Sequence, residues 1–509
     1  MVGVVDVLSW VRGNLGTTIA VSFALYVAGL TIYRLYLCPI AKIPGPKLAA
    51  ATFWYEFWYD VVKGGRYTWK IGELHEQYGP IVRINPYEVH VNDPDYYNEI
   101  YTGPSKRREK WAWSAAMFGT SSSHFSTLSH DLHRRRRAPL NPFFSRASVL
   151  RLEPMVRDVV EQLCTRLEGF RQTGQPVNLR HAFAAVTMDV VTDYAFGTSY
   201  ECLDDPDFAP MWPEAVDSVS EQSHMNKQFP WLLPLMRLTP LWLVERLNPH
   251  VMRLIKLQID LATQVSKHMS GQALENKVSD HPTIFHELLQ PGSLPVEEQV
   301  IEHLVGEAQA VVAAGQVTTT HYLNTTAYHI LARMEVLEIL KAELRQAMPE
   351  GSLPSLQHLE QLPYLSAIVL EGYRISYGPT HRLQRIAPDE SLAYGSYVIP
   401  AGTPMSMTSI FVHENEHLFP EPKSFKPERW LEPGAKERLS GYLVNFSKGT
   451  RGCLGQHLAS AEIYLTIAAV FSRFDFEIYK TMRGDIDVAH DFFNPQPRKG
   501  AVGLRAIVH

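Results

Sequence analysis

One decapeptide near the C-terminus, FSKGTRGCLG at Phe446–Gly455, restricts this chain more than any other stretch. It surrounds Cys453 with Gly449 and Gly455, places Arg451 two residues before the thiol, and opens on Phe446. Each spacing has a use if Cys453 is a thiolate bound to an iron centre. Such a sulfur must be shielded from water, oxidation and protonation. Glycines let the backbone come close, so that amide N–H groups can aim at the sulfur. The Phe446 ring can cover the loop, and the Arg451 guanidinium can pair with an acidic group carried by the cofactor. The competing reading, a buried structural cysteine in a glycine-rich turn, explains one residue and none of the spacings.

Other segments carry their own signals. Leu362–Ser376 reads LPYLSAIVLEGYRIS, whose apolar positions suit a buried helix face. Glu371 and Arg374 share one side of that helix. An ordinary helical ion pair would look the same, but FKPERW at Phe425–Trp430 follows and adds Arg429. Pro295 suits the first turn of a long, mostly apolar helix over 296–333. The middle of that helix reads AGQVTT, Ala314–Thr319, which could equally be a threonine-rich piece of core. A basic run, His133–Arg137, precedes NPFFS at Asn141–Ser145. His133 and Arg137 stand four apart and share a helix face. A solvated helix face explains the run better than nucleic-acid binding, since the net charge of −5 gives no global drive towards nucleic acid.

The pattern F-x-x-G-x-R-x-C-x-G resembles the haem-binding loop of the cytochromes P450, with every fixed position met. The resemblance implies that Cys453 is the axial ligand of haem b, in a loop shaped by Phe446, Gly449, Arg451 and Gly455. A thiolate there donates electron density and favours O–O cleavage. By the same resemblance Glu371, Arg374 and Arg429 form a buried charge network that locks the loop ahead of the ligand, tolerable only if fully hydrogen-bonded. The Ala314–Thr319 stretch resembles the part of the family's central helix that passes over the haem. Ala314 and Gly315 then leave space for dioxygen, and the Thr318 hydroxyl disturbs the helix hydrogen bonds and relays protons. Val317 stands where the family usually has an acid, so protons would arrive by water or Gln316. His133 and Arg137 fit the places of two propionate-holding residues, and Arg385 a third. The remaining arginines of the basic run would give a positive proximal surface for an acidic electron donor.

The expected architecture is mainly α with small antiparallel β-sheets, the cytochrome P450 fold, preceded by one N-terminal transmembrane helix. Helical patterns run over 146–171, 250–269, 296–348 and beyond Cys453. Strand patterns flank turns at Ile81–Val91, Tyr397–Thr403 and the C-terminus. No linker or repeat divides the chain, so residues 48–509 read as one catalytic domain. Residues 14–33 carry no charge and span roughly 30 Å as a helix, enough for a bilayer core. We therefore expect an anchor over 1–38, with Arg12 before the span and Arg34, Lys42 and Lys47 after it. The positive-inside rule then puts the bulk of the chain in the cytosol. A proline-rich hinge follows over 39–47. Trp54, Tyr55, Phe57, Trp58 and Tyr59 suit either a membrane interface or core packing. The proline-interrupted stretch Phe229–Pro249 resembles a loop that dips into lipid, with interior packing as its alternative. The four cysteines show no paired spacing, which suits a reducing compartment.

The resemblance thus implies an endoplasmic-reticulum haem-thiolate monooxygenase. It would take electrons from NADPH through a flavoprotein reductase, with a small haem protein as a second class of donor, and oxidise a hydrophobic small molecule. Stretches such as HDLHRRRRAPLNPFFS and PGPKLAA look like those of filamentous-fungal enzymes, which points to a terpenoid or polyketide-type intermediate of specialised metabolism. Residues 110–125 and 377–382 would line the pocket. Two alternatives stay open: a haem-thiolate isomerase, dehydratase or peroxide-using enzyme, motivated by Val317, and a non-enzymatic membrane haem sensor or carrier.

Overall fold

A computed structural model describes residues 14–119, 122–247, 249–270, 281–290, 292–349 and 351–509. Arg12 lies outside the described residues. Helix α1 (Leu15–Ile32) runs on through a π turn at Tyr33–Leu37, and none of its residues is buried. Within Leu15–Leu37 an 18-residue window has a mean hydropathy of 1.8. A helix this long, apolar and uncovered is a candidate membrane anchor. It outruns the expected end at residue 33 by about one turn. The Arg34 guanidinium folds back onto the Ala51 carbonyl at 2.8 Å and the Tyr87 hydroxyl at 3.1 Å instead of stopping the helix. The proline-bearing segment after it is seated on the body: Ile40 and Ile43 are buried, and the Pro44 carbonyl accepts from the Arg83 amide at 2.7 Å.

The body is built from α2 (Tyr67–Tyr78), α3 (His130–Arg137), α4 (Arg146–Thr173), α5 (Leu179–Phe196), α6 (Met211–Gln228), α7 (Leu232–Arg237), α8 (Leu241–Leu247), α9 (Pro249–Met269), α10 (Ile301–Leu331), α11 (Met334–Ala347), α12 (Pro363–Ser376) and α13 (Gln456–Arg473). The expected helices over 146–171 and 250–269 and beyond Cys453 correspond to α4, α9 and α13. The expected helix over 296–348 is interrupted. Val296–Glu298 is a 3-10 turn, and Arg333 adopts an extended conformation (φ −130°, ψ 93°) that separates α10 from α11. No glycine or proline marks that break.

Helix α5 carries apolar residues on every face, so it can only be stable when surrounded. It lies in the largest core cluster beside α4, α10 and α13. Asn178 caps its start by accepting from the His181 amide, and Gly197 ends it at φ 70°. Strands β1 (Ile81–Arg83), β2 (Val89–Val91), β7 (Pro404–Ser406) and β4 (Arg385–Ile386) form one sheet in the order β1-β2-β7-β4. Its β2–β7 pair is parallel, a departure from the expected antiparallel pairing. The remaining sheets are antiparallel: β3 (Val177–Asn178), β11 (Arg505–Val508) and β8 (Phe476–Ile478) in the order β3-β11-β8, the pair β5 (Leu392–Tyr394) and β6 (Tyr397–Ile399), and the pair β9 (His490–Phe492) and β10 (Asn494–Gln496).

The two ambiguous aromatic stretches divide by face. Tyr55 and Tyr59 pack on Tyr67 in the interior, whereas Trp54 and Trp58 are 61% and 50% exposed. Between α6 and α9, Trp231, Leu238 and Trp242 are 63%, 80% and 67% exposed. The stretch after Phe229 is thus two short helices with bare apolar side chains, and not interior packing.

Candidate functional site

The Cys453 loop is held by its backbone. The Cys453 amide donates to the Phe446 carbonyl at 2.8 Å, closing the turn. Gly449 has φ 73°, and a Cβ there would stand 2.1 Å from the Thr102 carbonyl oxygen, so only glycine fits. The close approach that Gly449 permits is therefore to the 101–102 backbone. A Cβ on Gly455 would meet nothing nearer than 4.0 Å. Phe446 is covered by Tyr373 of α12, edge to face at 5.0 Å between centroids. Cys453 lies just before α13, and both the Gly455 amide and Arg137 favour its thiolate, while burial pushes the thiol up. Its side chain is accessible, although Arg451 of the same loop is buried.

Across α10 the same contrast recurs. Gln316, Thr319 and Thr320 are buried, whereas Ala314 and Thr318 are exposed in the middle of the helix. The Thr318 hydroxyl donates to the Ala314 carbonyl at 3.0 Å. Gly315 faces the other way. A Cβ there would stand 2.9 Å from Val191 Cγ2 on α5. Its smallness serves the packing of α10 on α5, which corrects the expectation that it opens space for dioxygen. Gln316 is buried with its Oε1 unpartnered. Glu462 of α13, which the sequence reading did not single out, is buried against Thr319, and burial holds its carboxyl well above the usual range.

Cations gather at the edge of this region. Arg385 and Arg451 are buried, and Lys110 and Arg137 are enclosed with partial access. Burial, with Arg451 and Arg385 nearby, pulls the Lys110 ammonium well down. Burial, with Arg385 and Arg137 adding to it against Glu109, pulls Arg451 down to about 9. Arg451 donates to the carbonyls of Thr127, Leu128 and Ser129, which leaves its buried Nε unpartnered. His133 is 2% exposed with Nδ1 unpartnered. Arg137 reaches the Gly452 carbonyl at 2.6 Å. Arg382, three residues before Arg385, is committed elsewhere, to Glu56 and Glu88. Buried cations so short of carboxylates are costly alone and suited to an acidic group. These residues fit a haem and its two propionates. Lys110 gave no sequence signal, because its neighbours come from distant segments.

Not all of the basic run turns outward. Arg134 and Arg135 are exposed, but Arg136 pairs with Glu298 at 2.9 Å, so the expected proximal surface loses that charge.

The charge network is complete. Arg374 Nη2 and Nε donate to the two Glu371 oxygens at 2.7 and 3.0 Å, and Arg429 Nε reaches Glu371 Oε1 at 3.2 Å. The Lys426 amide and Trp430 Nε1 add donors to Glu371 at 2.8 and 2.9 Å. Burial would raise the Glu371 carboxyl, but Arg374 and Arg429 outweigh it and hold it below the usual range. His413, also missed in the sequence, donates from Nδ1 to the Arg374 carbonyl and accepts the Val444 amide at Nε2. It joins the network to the segment that opens the cysteine loop.

A helical body with small sheets, an accessible cysteine in a tightly turned loop and a group of buried cations short of anions fit a haem protein. The match to the cytochrome P450 family model over residues 44–500 agrees. A tryptophan 6-hydroxylase from Fusarium equiseti is 45% identical, over 96% of this chain and 95% of that protein. An N-acetyltryptophan 6-hydroxylase from Emericella nidulans is 44% identical over 94% of each. Conidiogenone synthase from Penicillium rubens is 40% identical over 96% of this chain and 97% of its own. The chain belongs to the cytochrome P450 family, and it is an oxidoreductase of the monooxygenase class.

Lys110→Met separates apo and holo effects. Without haem it removes a like charge from a buried cluster, so the apoprotein should melt at a higher temperature. With haem it removes a charged hydrogen bond worth about 1.5–3 kcal/mol, so haem should bind roughly tenfold more weakly or worse. Melting of the apoprotein and haem titration check both signs.

Proposed function

We propose that this chain is a membrane-anchored haem-thiolate monooxygenase of a fungal specialised pathway, oxidising a hydrophobic small molecule with electrons passed from NADPH by a flavoprotein reductase. Residues 1–38 serve as anchor in the endoplasmic-reticulum membrane, 39–47 as hinge and 48–509 as the cytosolic catalytic domain. The exposed side chains of Trp54, Trp231 and Trp242 support a lipid-facing surface, and exposed Arg134 and Arg135 support docking of an acidic donor. The observation that carries the reading is Cys453, accessible in its loop beside Arg137, together with the mutually close cations Lys110, Arg385 and Arg451.

Bound haem supplies the activation of dioxygen. Cys453 would supply the thiolate that holds it, Lys110, His133, Arg137, Arg385 and Arg451 would pair with its acidic groups, and Phe446, Gly449 and Gly455 would shape the ligand loop. Ala314 gives room over the cofactor. The Thr318 hydroxyl, held on the Ala314 carbonyl, moves protons inward in place of the acid that Val317 lacks. In Thr318→Ala, product should fall about 100-fold while NADPH oxidation continues and peroxide accumulates, the loss typical of a removed proton relay. Unchanged coupling would assign the relay to another group.

The first reading of the substrate is a terpenoid or polyketide-type molecule. A second reading is favoured by one observation. The rings of Phe118, Phe125 and Phe493 pack edge to face, with Phe118 at 4.8 Å from each of the others, beside a small cavity lined also by Lys110, Gln384 and Arg385. Such a wall suits a flat aromatic substrate, in keeping with the relatives named for tryptophan. Trp111 and Trp113 do not line it; they stack on each other and on Phe53. Soret shifts on titration with N-acetyltryptophan or a diterpene hydrocarbon separate the two. Turnover should require both NADPH and reductase; turnover with neither would favour the isomerase or peroxide-using alternative.

A further inference from the structure

On the same small cavity as Lys110 and Arg385, which His381 and Arg382 also line, a second buried cluster is unbalanced in the opposite sense. Glu56 and Asp60 of the short helical segment over 54–62, Glu88 ahead of β2, and Asp491 of β9 are all between 0% and 1% exposed. Two fixed cations face these four carboxylates. Lys227 of α6 stands 2.6 Å from Glu56 and 3.0 Å from Asp60. Arg382 donates to Glu56 at 2.5 Å and to Glu88 at 3.0 Å. The remaining ionisable members are His224 of α6 and His381, 1% and 2% exposed. With neutral imidazoles, four negative charges less two positive leave a surplus of two negative charges in the interior. A surplus of that kind is not tolerated without compensation.

The hydrogen positions show where compensation belongs. His224 Nε2 lies 2.5 Å from the Asp491 backbone carbonyl, which only accepts, so Nε2 carries the proton. Its Nδ1, buried and without a hydrogen bond, then turns a lone pair towards Asp60 Oδ2, 3.3 Å away. Two acceptors face each other. His381 Nδ1 makes a long hydrogen bond to Asp491 Oδ2 at 3.3 Å, while His381 Nε2 and Asp60 Oδ1 are buried without partners. One ligand atom from each of His224, His381 and Asp491 lies within 4.8 Å of the others. An imidazolium on a carboxylate would close to about 2.7–2.9 Å. The 3.3 Å between His224 Nδ1 and Asp60 Oδ2 is instead that of two ligands on one tetrahedral ion, with bonds of about 2.0–2.2 Å.

We infer that His224, His381 and Asp491, with Asp60 as the fourth ligand, form a buried site for one divalent cation of the zinc class. Its two positive charges cancel the surplus. Mixed imidazole and carboxylate donors suit zinc better than calcium or magnesium, which take oxygen. Asp60 Oδ2, the oxygen that faces His224 Nδ1, also accepts from Lys227 at 3.0 Å and keeps a lone pair for the ion. The His224 Nε2–H on the Asp491 carbonyl is the kind of outer contact that orients a metal-bound imidazole. Thr68 and Thr380 fix the Asp491 carboxylate at 2.6 and 3.1 Å. Four protein ligands and no open position make the site structural. It ties α6 to the 54–62 segment and to β9.

The test is elemental analysis of the detergent-purified full-length holoenzyme, followed by calorimetric titration of chelator-treated protein with Zn2+ alone. About one zinc per haem iron, or uptake of about one Zn2+ per chain, is expected for a closed site. In His224→Gln/His381→Gln, zinc content should fall at least about tenfold with the Cys453-type haem spectrum retained. Wild-type protein with no divalent metal and no Zn2+ uptake would overturn the site and leave two protons as the compensation. Zinc that persists undiminished in the double variant would also overturn it, as an ion bound elsewhere. If the double variant does not fold, the wild-type titration decides alone.

Discussion

Cys453→Ser should yield a folded protein that still takes up haem but shows no thiolate signature and turns over at least about 100-fold more slowly. The loop does not depend on the sulfur for its shape. Its turn is closed by the Cys453 amide on the Phe446 carbonyl, its approach to Thr102 by Gly449, and its outer side by Arg137 on Gly452. Serine preserves all of these. The cations at Lys110, Arg385 and Arg451 also remain, so the propionates keep their partners. What goes is a donor that ionises readily; a hydroxyl in that place does not. Changes one shell out from a metal typically cost 10–100-fold, so loss of the ligand itself should exceed that range. The spectrum of the reduced, carbon-monoxide-bound protein and the turnover rate read the two effects separately. An unchanged spectrum would mean that another side chain holds the iron.

Arg374→Ala should give almost no holoprotein. The substitution removes the bidentate pairing with Glu371 together with donors to the carbonyls of His413, Pro422 and Ser424. Glu371 keeps Arg429, Trp430 and the Lys426 amide, but three buried carbonyls lose a donor each. Breaking a buried pair from one side costs about 3–5 kcal/mol, a large part of the 5–15 kcal/mol that keeps a typical protein folded. The damage also points at the cysteine loop, because His413, whose carbonyl loses the Arg374 guanidinium, accepts the Val444 amide at Nε2. Haem content per chain should fall at least about tenfold, and Arg374→Lys should not restore it, since an ammonium cannot reproduce the planar fork. Normal haem content in either variant would show that the network is dispensable.

The features legible in the sequence are those fixed by short-range chemistry. A ligand loop needs its glycines and its cysteine within ten residues, an ion pair on a helix needs a spacing of three, and an anchor needs an unbroken apolar run. Cys453, Glu371, Arg374, Arg429 and α1 were therefore visible. Residues that act on partners distant in sequence were not. Lys110 belongs with Arg385 and Arg451, His413 with Arg374 and Val444, and Glu462 with Thr319. Helix α5 left no periodic signal because all its faces are buried. Gly315 shows how a correct motif can carry a wrong local reason. It stands where small residues are expected, yet its missing side chain makes room for Val191. Arg136 likewise reads as surface charge until Glu298, from another segment, takes it inward.

The most direct test of the account is the reduced-minus-oxidised spectrum under carbon monoxide, recorded on membranes carrying the full-length chain. Thiolate ligation by Cys453 predicts the long-wavelength Soret band of thiolate-bound haem. A histidine-type band, or no haem band from well-folded protein, would contradict it and remove the basis for the proposed monooxygenase chemistry.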